Sequence, residues 1–426
     1  MRRGAARPET QREGTVVALG HLGDGLVRLD DGGEAHVAGV LPDERVRVAL
    51  GGDGGARLLE VIARSPKRVA PACRHFAICG GCVAQHLDTE TYRDWRRGQI
   101  VSALAQRGFK APPVEPAVAV AAGTRRRATF AWRRKRDWVT LGFRVRAGHD
   151  VVALETCPVL HPDFVGLLPH LRGLAKVLDA NGRLDVTRCD NGFDVVIEQR
   201  NEPDVGARQR MADFAAAHGV ARISWRMGQG SEAEPVIQTH APRIAFDGID
   251  VAIPPGVFLQ PTPEGETHLQ RIVAEMAGEA ARIADLFAGC GTLALPLARR
   301  AHVAAIDLDG PAIRALQSAA GAAGHAGTSV RLDAAVRDLF RRPLQDAELR
   351  GFEAVVFDPP RAGAAAQAAA LAASQVARIV AVSCNPATFT RDARTLCDGG
   401  YVLRRAVPID QFVWSHHVEV VALFTR

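Results

Sequence analysis

A cysteine that ends an apolar run is the residue of this sequence best suited to covalent chemistry. Cys384 lies in Ser383-Cys384-Asn385-Pro386, where Asn-Pro turns the chain. Earlier in the chain, a glycine loop begins at Asp285 and ends at Thr292. A thiolate is a strong nucleophile, and glycines let the backbone approach a bound cofactor. Together the two features indicate group transfer through a covalent intermediate.

The glycine loop reads Asp285-Leu286-Phe287-Ala288-Gly289-Cys290-Gly291-Thr292 and opens a helical stretch. The N-terminus of a helix favours an anionic group such as a carboxylate. A dinucleotide fingerprint is incomplete here, because Ala294 stands where the third glycine belongs. The spacing is instead typical of S-adenosylmethionine-dependent methyltransferases. Asp307 ends the next strand, where a carboxylate can accept hydrogen bonds from ribose hydroxyls.

A second candidate for chemistry is a carboxylate inside the final apolar run, residues 416–424. Glu419 would be costly to bury there unless it were paired or functional. Methylation of a pyrimidine at carbon 5 needs a thiolate that adds to carbon 6 and a base that then removes the proton from carbon 5. We therefore interpret Cys384 as the nucleophile and Glu419 as the base. Cys290 and Cys397 are predicted to be packing residues.

Three of the eight cysteines form a tight group. Five residues separate Cys73 from Cys79, two glycines separate Cys79 from Cys82, and Cys157 supplies a fourth thiol from a distance. Four thiolates suit either a structural zinc ion or an iron–sulfur cluster. The first gap is longer than that of the C-x3-C-x2-C pattern of radical enzymes, so we expect a closed structural site. Two nearby histidines are alternative zinc ligands, His75 and His86.

Three patterns divide the chain into domains. Residues 1–66 contain short β-rich runs separated by glycine turns, which predict a small OB-like β-barrel. The predicted strands are 15–19, 25–29, 34–37 and 45–50. Residues 67–250 mix strands and helices and form a central α+β domain around the cysteine cluster. In residues 251–426, apolar strands alternate with Ala-rich helices, which predicts a doubly wound, Rossmann-like α/β domain.

The composition favours a cytoplasmic protein that binds RNA. The formal net charge is +6, and the excess of basic residues is mostly arginine. The N-terminus lacks the apolar core of a secretion signal, and no apolar run reaches membrane-spanning length. We expect no membrane and no DNA partner. The cysteines of such a protein are not expected to form a disulfide framework.

One basic and aromatic patch is the predicted RNA face. It comprises Arg125, Arg126, Arg127, Phe130, Trp132, Arg133, Arg134, Lys135, Arg136 and Trp138. Arginines can neutralise phosphates, and tryptophans can stack on unpaired bases. The alternative is an amphipathic strand with its aromatic rings in the core. The target base must leave its stack to reach a thiol, so single-stranded or flipped RNA is expected.

In this order the motifs resemble those of the uracil-C5 RNA methyltransferase family, and the resemblance covers nearly the whole chain. The matching motifs are Phe258-Leu259-Gln260, the glycine loop, Asp307, Asp358-Pro359-Pro360-Arg361, Ser383-Cys384-Asn385-Pro386 and His417-Val418-Glu419. The N-terminal barrel resembles the TRAM domain of the branch that acts on 23S ribosomal RNA.

The resemblance implies roles for individual residues. Cys384 would be the nucleophile and Glu419 the base. The cofactor-binding set would be Gln260, Phe287, Gly289, Gly291, Thr292, Asp307, Asp338 and Asp358, around S-adenosylmethionine. The metal-ligating set would be Cys73, Cys79, Cys82 and Cys157, around a [4Fe-4S] cluster. The expected product is 5-methyluridine in 23S ribosomal RNA, made by a monomer.

Two residues depart from the family pattern. Thr262 stands where the family often has asparagine, and Asp307 where it usually has glutamate, which shortens the reach toward a ribose. Three alternative functions stay open: the same reaction on transfer RNA, an amino-group methyltransferase, and a non-catalytic RNA-binding assembly factor. The second is suggested by Asp358-Pro359-Pro360, which is similar to the Asx-Pro-Pro motif of that class.

Overall fold

The computed structural model describes residues 10–51, 55–146, 148–228 and 230–426. The first nine residues, which include the basic N-terminus considered above, lie outside these ranges. In the described part of the chain, no helix is long and apolar enough to cross a membrane.

The N-terminal sheet is five-stranded and antiparallel, in the order β3-β2-β1-β4-β5. Its strands are β1 Thr10–Leu19, β2 Asp24–Leu29, β3 Glu34–Ala38, β4 Arg45–Leu50 and β5 Ala56–Ala63. Alternate residues such as Val27, Val37 and Val46 are fully buried on one face, as expected of a sheet with one solvated face. The four predicted strands are present, and β5 is an additional one.

The predicted closed barrel is only partly confirmed. The edge strands β3 and β5 approach each other, yet no hydrogen-bonded ladder joins them among the described residues. The result is a half-barrel that curls around a small valine-rich core.

The central sheet has six strands in the order β11-β10-β9-β8-β6-β7, with β9 and β10 parallel and the other pairs antiparallel. The elements are α1 Thr89–Gln106, β6 Arg127–Lys135, β7 Trp138–Gly142, α2 Pro162–Ala175, β8 Asn181–Cys189, β9 Gly192–Glu198, α3 Val205–Ala217, β10 Val220–Arg226 and β11 Glu234–Gln238. A hairpin follows, β12 Arg243–Phe246 and β13 Ile249–Ala252. The mixture of strands and helices confirms the predicted α+β character of this part of the chain.

Two aromatic residues of the predicted RNA face are buried, so the prediction that they contact RNA is wrong. Phe130 and Trp132 lie on β6 and are 0% and 1% exposed. They pack with Phe164 and Leu168 of α2 in the core of the central sheet. Since α2 covers this face of the sheet, the alternative reading of an amphipathic strand holds for both rings.

The C-terminal sheet has seven strands in the order β16-β15-β14-β17-β18-β20-β19. Its elements are α4 Pro263–Ala277, β14 Arg282–Leu286, α5 Ala294–Ala298, β15 His302–Asp307, α6 Gly310–His325, β16 Leu332–Val336, α7 Asp346–Leu349, β17 Ala354–Phe357, α8 Ala365–Ala372, β18 Arg378–Ser383, α9 Pro386–Asp398, β19 Val402–Ile409 and β20 Glu419–Thr425. The first five strands run parallel, and β20 is antiparallel to both β18 and β19. This sheet confirms the predicted Rossmann-like domain.

The strand order of the C-terminal sheet indicates where the candidate site lies. Strands β15 and β17 flank β14, so the winding direction reverses between β14 and β17. Ligands bind at the carboxyl ends of parallel strands next to such a reversal. The glycine loop, Asp307, Asp358 and Cys384 all follow the carboxyl ends of β14, β15, β17 and β18.

Replacement of Trp132 tests its assignment to the core. Trp132→Ala should lower the free energy of unfolding by about 3 to 5 kcal/mol, because it opens a large cavity. Trp138→Ala is the matched control: this ring is 74% exposed, and its loss should cost less than about 0.5 kcal/mol. Urea unfolding measures both. Equal unfolding midpoints for the two variants would contradict the assignment.

Candidate active site

The glycine loop curls over the end of β15. The backbone N–H groups of Phe287 and Ala288 donate to the carbonyl of Ile306 at 2.8 and 3.1 Å. Phe287 has a φ of +64°, which is unusual for a residue with a side chain. Gly291 has a φ of +99°, and a Cβ there would lie 2.5 Å from Leu316. The loop therefore requires glycine at this position.

Three aspartates surround this loop. Asp307 accepts hydrogen bonds from the backbone N–H groups of Gly289 and Asp309, both at 2.8 Å. Asp358 is half-buried, whereas Asp285 is completely buried, and neither of its carboxylate oxygens has a hydrogen-bond partner among the described residues. Burial raises the pKa of Asp285 well above its usual range, and the charges of Asp358 and Asp307 raise it further. The cluster is therefore suited to a cationic ligand. Asp285 was not a predicted site residue, although an aspartate in a buried strand is a signal for one.

Two other predicted cofactor residues have local structural partners. The side chain of Asp338 accepts hydrogen bonds from the backbone N–H groups of Phe340 and Arg341, at 3.0 and 3.2 Å. The ring of Phe340 lies 5.5 Å from that of Phe287, measured between centroids. The carbonyl of Thr292 accepts from Gln270 at 3.0 Å. Contacts of these residues with a cofactor stay predictions.

The candidate nucleophile and base lie at neighbouring strand ends. The antiparallel register pairs Ser383 of β18 with Val420 of β20. Cys384 and Glu419 are the next residues beyond that pair, so they share one edge of the sheet. Burial raises the pKa of Cys384 to about 12, the charges of Glu419 and Asp358 add to the rise, and Arg361 opposes it.

A chain of two amides joins Glu419 to Asp358. The Nε2 atom of Gln411 donates to Glu419 Oε2 at 2.8 Å and to Gln260 Oε1 at 2.9 Å. Gln260 Nε2 then donates to Asp358 Oδ2 at 3.2 Å. Glu419 is 3% exposed, and its Oε1 atom has no partner in the described part of the chain. This second oxygen is free to accept a proton from a ligand.

Burial dominates the pKa of both carboxylates, and the amide hydrogen bonds oppose it. Burial raises the pKa of Asp358 to about 7, while the hydrogen bond from Gln260 lowers it. Burial raises the pKa of Glu419 well above its usual range, the charge of Asp358 adds to this, and the hydrogen bond from Gln411 opposes it. Gln411 is a site residue that sequence reasoning missed, because a glutamine in a loop carries no signal of its own.

Helix α1 fixes the loop that carries Gln411, residues 410–418. The buried guanidinium of Arg96 forms an ion pair with Asp410 at 2.8 Å. It also donates to the carbonyls of Phe412 and His417, at 2.9 and 2.8 Å. Because β20 begins directly after this loop, Arg96 helps to place Glu419.

Thr262 and the patch residues Arg126 and Arg127 make structural contacts within the protein. Thr262 caps α4, accepting the backbone N–H of Gly265 at 3.1 Å. Arg126 is buried and pairs with Glu266 at 2.6 Å, so its predicted contact with phosphate is wrong. Arg127 donates to the carbonyl of Leu259 at 2.5 Å. These two arginines hold the central sheet against the segment that contains Gln260.

The four predicted metal-ligating cysteines line one cavity of about 240 Å³, Cys73, Cys79, Cys82 and Cys157. Burial raises the pKa of Cys82 to about 12, and the other three thiols raise it further. Within the described ranges, no group of three or more histidine, cysteine, aspartate or glutamate side chains meets the geometry of a metal site. The donor set nevertheless suits a thiolate-bound centre, since the four cysteines line one cavity and a bound cation stabilises thiolates. His86 is turned elsewhere, with its Nε2 atom 3.3 Å from the carbonyl of Val40.

The strand order, the glycine loop and the acidic edge define the class as a Rossmann-like methyltransferase. Residues 252–426 match the family model described as tRNA (Uracil-5-)-methyltransferase. An uncharacterized RNA methyltransferase of Mesorhizobium japonicum is 40% identical over 97% of each chain. The 23S rRNA (uracil(1939)-C(5))-methyltransferase RlmD of Halomonas elongata is 34% identical over 98% of this chain and 90% of that protein. The chain belongs to the uracil-C5 RNA methyltransferase family, as its motifs predicted.

A solved structure shares the complete fold. The crystal structure of Pyrococcus abyssi tRNA (uracil-54, C5)-methyltransferase in complex with S-adenosyl-L-homocysteine is 24% identical, with a TM-score of 0.73. The alignment covers 97% of this chain and 99% of that one. At this identity the match supports the arrangement of the three sheets.

Replacement of Arg96 tests its role in holding the loop. Arg96→Met should lower the free energy of unfolding by about 3 to 5 kcal/mol, because Asp410 is left buried without its cation. Adding Asp410→Leu should restore part of that loss. Arg93→Met, on the exposed face of the same helix, is the control and should unfold like the wild type in urea. A double variant that is less stable than Arg96→Met would contradict the ion-pair account.

Proposed function

We propose that this protein methylates carbon 5 of a uridine in RNA, with S-adenosylmethionine as the methyl donor. The observation that carries the proposal is the placement of Cys384 and Glu419 at adjoining strand ends, beside the acidic cluster. An amino-group methyltransferase needs no such thiol, and a non-catalytic binding protein needs neither group.

The site residues provide a two-stage mechanism. Cys384, as thiolate, adds to carbon 6 of the uracil, which makes carbon 5 nucleophilic. S-adenosylmethionine, when bound, supplies an electrophilic methyl group to carbon 5. Glu419 then removes the proton from carbon 5, the double bond between carbons 5 and 6 re-forms, and the thiolate of Cys384 leaves. Gln411 holds one oxygen of Glu419 and leaves the other to take the proton.

The acidic cluster couples cofactor binding to the nucleophile. The charges of Glu419 and Asp358 hold the pKa of Cys384 high. A cationic methyl donor beside Asp285, Asp307 and Asp358 offsets those negative charges and favours the thiolate. The nucleophile is then activated only when the methyl donor is present. The proposed contacts are Gln260, Phe287, Gly289, Gly291, Thr292, Asp307, Asp338 and Asp358.

We further propose 23S ribosomal RNA as the substrate. Support comes from the match to RlmD across nearly the whole chain and from the half-barrel that resembles a TRAM domain. The alternative is transfer RNA, which the description of the matching family model names. Mapping of 5-methyluridine in RNA from cells with and without this protein separates the two: a ribosomal uridine that loses its methyl group supports the first, and a transfer RNA uridine the second.

The cysteine cavity is proposed to hold a [4Fe-4S] cluster through Cys73, Cys79, Cys82 and Cys157. The same cavity is lined by Val413 and Ser415 of the loop 410–418. The backbone N–H of Val83, next to Cys82, donates to the carbonyl of Trp414 at 2.7 Å. A bound cluster would stiffen the cysteine segment against the loop that leads to Glu419.

Two substitutions separate the catalytic roles. Cys384→Ala should abolish methylation and also covalent capture of RNA that carries 5-fluorouridine, because no thiolate can add to carbon 6. Glu419→Gln should still add to carbon 6 and transfer the methyl group, but it should stall before elimination and accumulate a denaturant-resistant adduct with ordinary RNA. Gel electrophoresis in denaturant detects both covalent adducts, the one with 5-fluorouridine RNA and the one with ordinary RNA. Turnover of Glu419→Gln at the wild-type rate would assign the base to another residue.

The identity of the metal has a direct chemical test. Protein purified without oxygen should be brown and contain iron and sulfide, as thiolate-bound clusters do. Cys157→Ala should lose iron, whereas Cys397→Ala, outside the cavity, should retain it. Colourless protein with one equivalent of zinc would replace the cluster by a zinc site on the same four thiols.

A further inference from the structure

A second open space adjoins Cys384 on the side that faces the N-terminal sheet. This cleft has a volume of about 450 Å³. Its walls come from three parts of the chain: His21 and Leu22 in the turn between β1 and β2, Gln106 and Arg107 at the end of α1, and Arg361 and Cys384 in the C-terminal domain. The residues that line it do not include Gln260, Asp358 or Glu419. The cleft is therefore distinct from the space between nucleophile and base.

The turn that closes this cleft is anchored by buried side chains of α1. Trp95 Nε1 donates to the carbonyl of Gly20 at 3.0 Å. Gln99 Nε2 donates to the carbonyl of His21 at 2.8 Å and to that of His416 at 2.9 Å. One amide thus ties the N-terminal turn to the loop that leads to Glu419. The turn holds Leu22 in place although its side chain is 50% exposed.

The charge of the cleft favours an anion. No carboxylate lines it, whereas two arginines and three histidines do. Arg107 is exposed, and its guanidinium makes no hydrogen bond or ion pair within the described residues. Arg361 adds a second positive charge to the cleft, although its Nη2 atom is 2.6 Å from His417 Nδ1 and its side chain also contacts Cys384. An unpaired arginine such as Arg107 in a concave site is suited to phosphate.

We propose that this cleft binds the nucleotide adjoining the target uridine in the RNA strand. This inference rests on the proposed function, which places the target uracil between Cys384 and Glu419. The strand on one side of that uracil must leave through open space beside Cys384, and the cleft is such a space. Arg107 contacts the phosphate of the adjoining nucleotide, and Leu22 with His21 packs against its base.

The proposal has a consequence for substrate choice. A base that lies against Leu22 and His21 cannot at the same time be paired and stacked in a helix. The enzyme therefore recognises a target whose neighbour is unpaired as well, and a uridine flanked by helix on both sides is a poor substrate.

Two substitutions with a matched control measure the phosphate contact. The probe is total RNA from cells that lack the protein, which carries the unmethylated target. Arg107→Gln should raise the KM for RNA and lower the slope of log affinity against log salt by about 0.7, the value for one contact with single-stranded RNA. Leu22→Ala should raise the KM with an unchanged slope. Arg93→Gln makes the same charge change on the same helix outside the cleft and should leave both quantities alone. Equal slopes for Arg107→Gln and Arg93→Gln would overturn the phosphate contact.

Crosslinking locates the occupant of the cleft. Leu22 is replaced by a photoreactive benzoylphenylalanine, and the protein is trapped on cellular RNA containing 5-fluorouridine, so that the covalent adduct marks the target. After irradiation, primer extension should stop at the target and at the nucleotide next to it. A crosslink to a distant nucleotide or to none, in an adduct that does form, would overturn this inference alone. Failure of the wild-type protein to form the adduct would instead overturn the proposed function and this inference with it.

Discussion

The concentration of negative charge at one edge of the C-terminal sheet is the constraint on which the rest of the site depends. Asp285 lies near the end of β14, Asp307 ends β15 and Asp358 follows β17, and Glu419 at the start of β20 is almost completely buried. Like charges so close together raise one another's pKa. The fold tolerates this because amides, rather than cations, separate the carboxylates. Gln411 and Gln260 donate to Glu419 and Asp358 without neutralising either of them.

The buried arginines lie away from this edge. They form ion pairs that hold other parts of the chain together. Arg96 fixes the loop 410–418 from α1, and Arg126 with Glu266 joins the central sheet to the segment that carries Gln260. Each of these arginines is buried and has a carboxylate partner, so neither offers a free charge to a ligand. Arg107, at the C-terminal end of α1, lies outside this edge and is exposed, and Arg361 lies beside Cys384 in contact with His417. This division keeps the edge around Asp285 and Asp358 acidic and the cleft beside Cys384 basic.

The sequence predicted those features that local patterns encode. The alternation of strands and helices predicted the Rossmann-like sheet, and the apolar run around Glu419 predicted that this carboxylate is buried. It did not predict β5, whose residues are mostly exposed or half-buried and lack a clean alternation. It also misassigned Trp132, because a strand covered by a helix looks the same in sequence as one that faces RNA. Gln411 and Arg96 were missed because their partners are either in irregular loops or more than three hundred residues away.

The position of β20 affects how the chain can be assembled during synthesis. This strand follows β19 in sequence, yet it lies between β18 and β19 in the sheet. On its other edge β19 is bridged only to the segment 114–118, so it joins the rest of the sheet only after β20 has emerged from the ribosome. The same event delivers Glu419 to Cys384. Until then Cys384 is present without Glu419, and a partly made chain exposes the edge of β18, a surface prone to unwanted pairing with other strands.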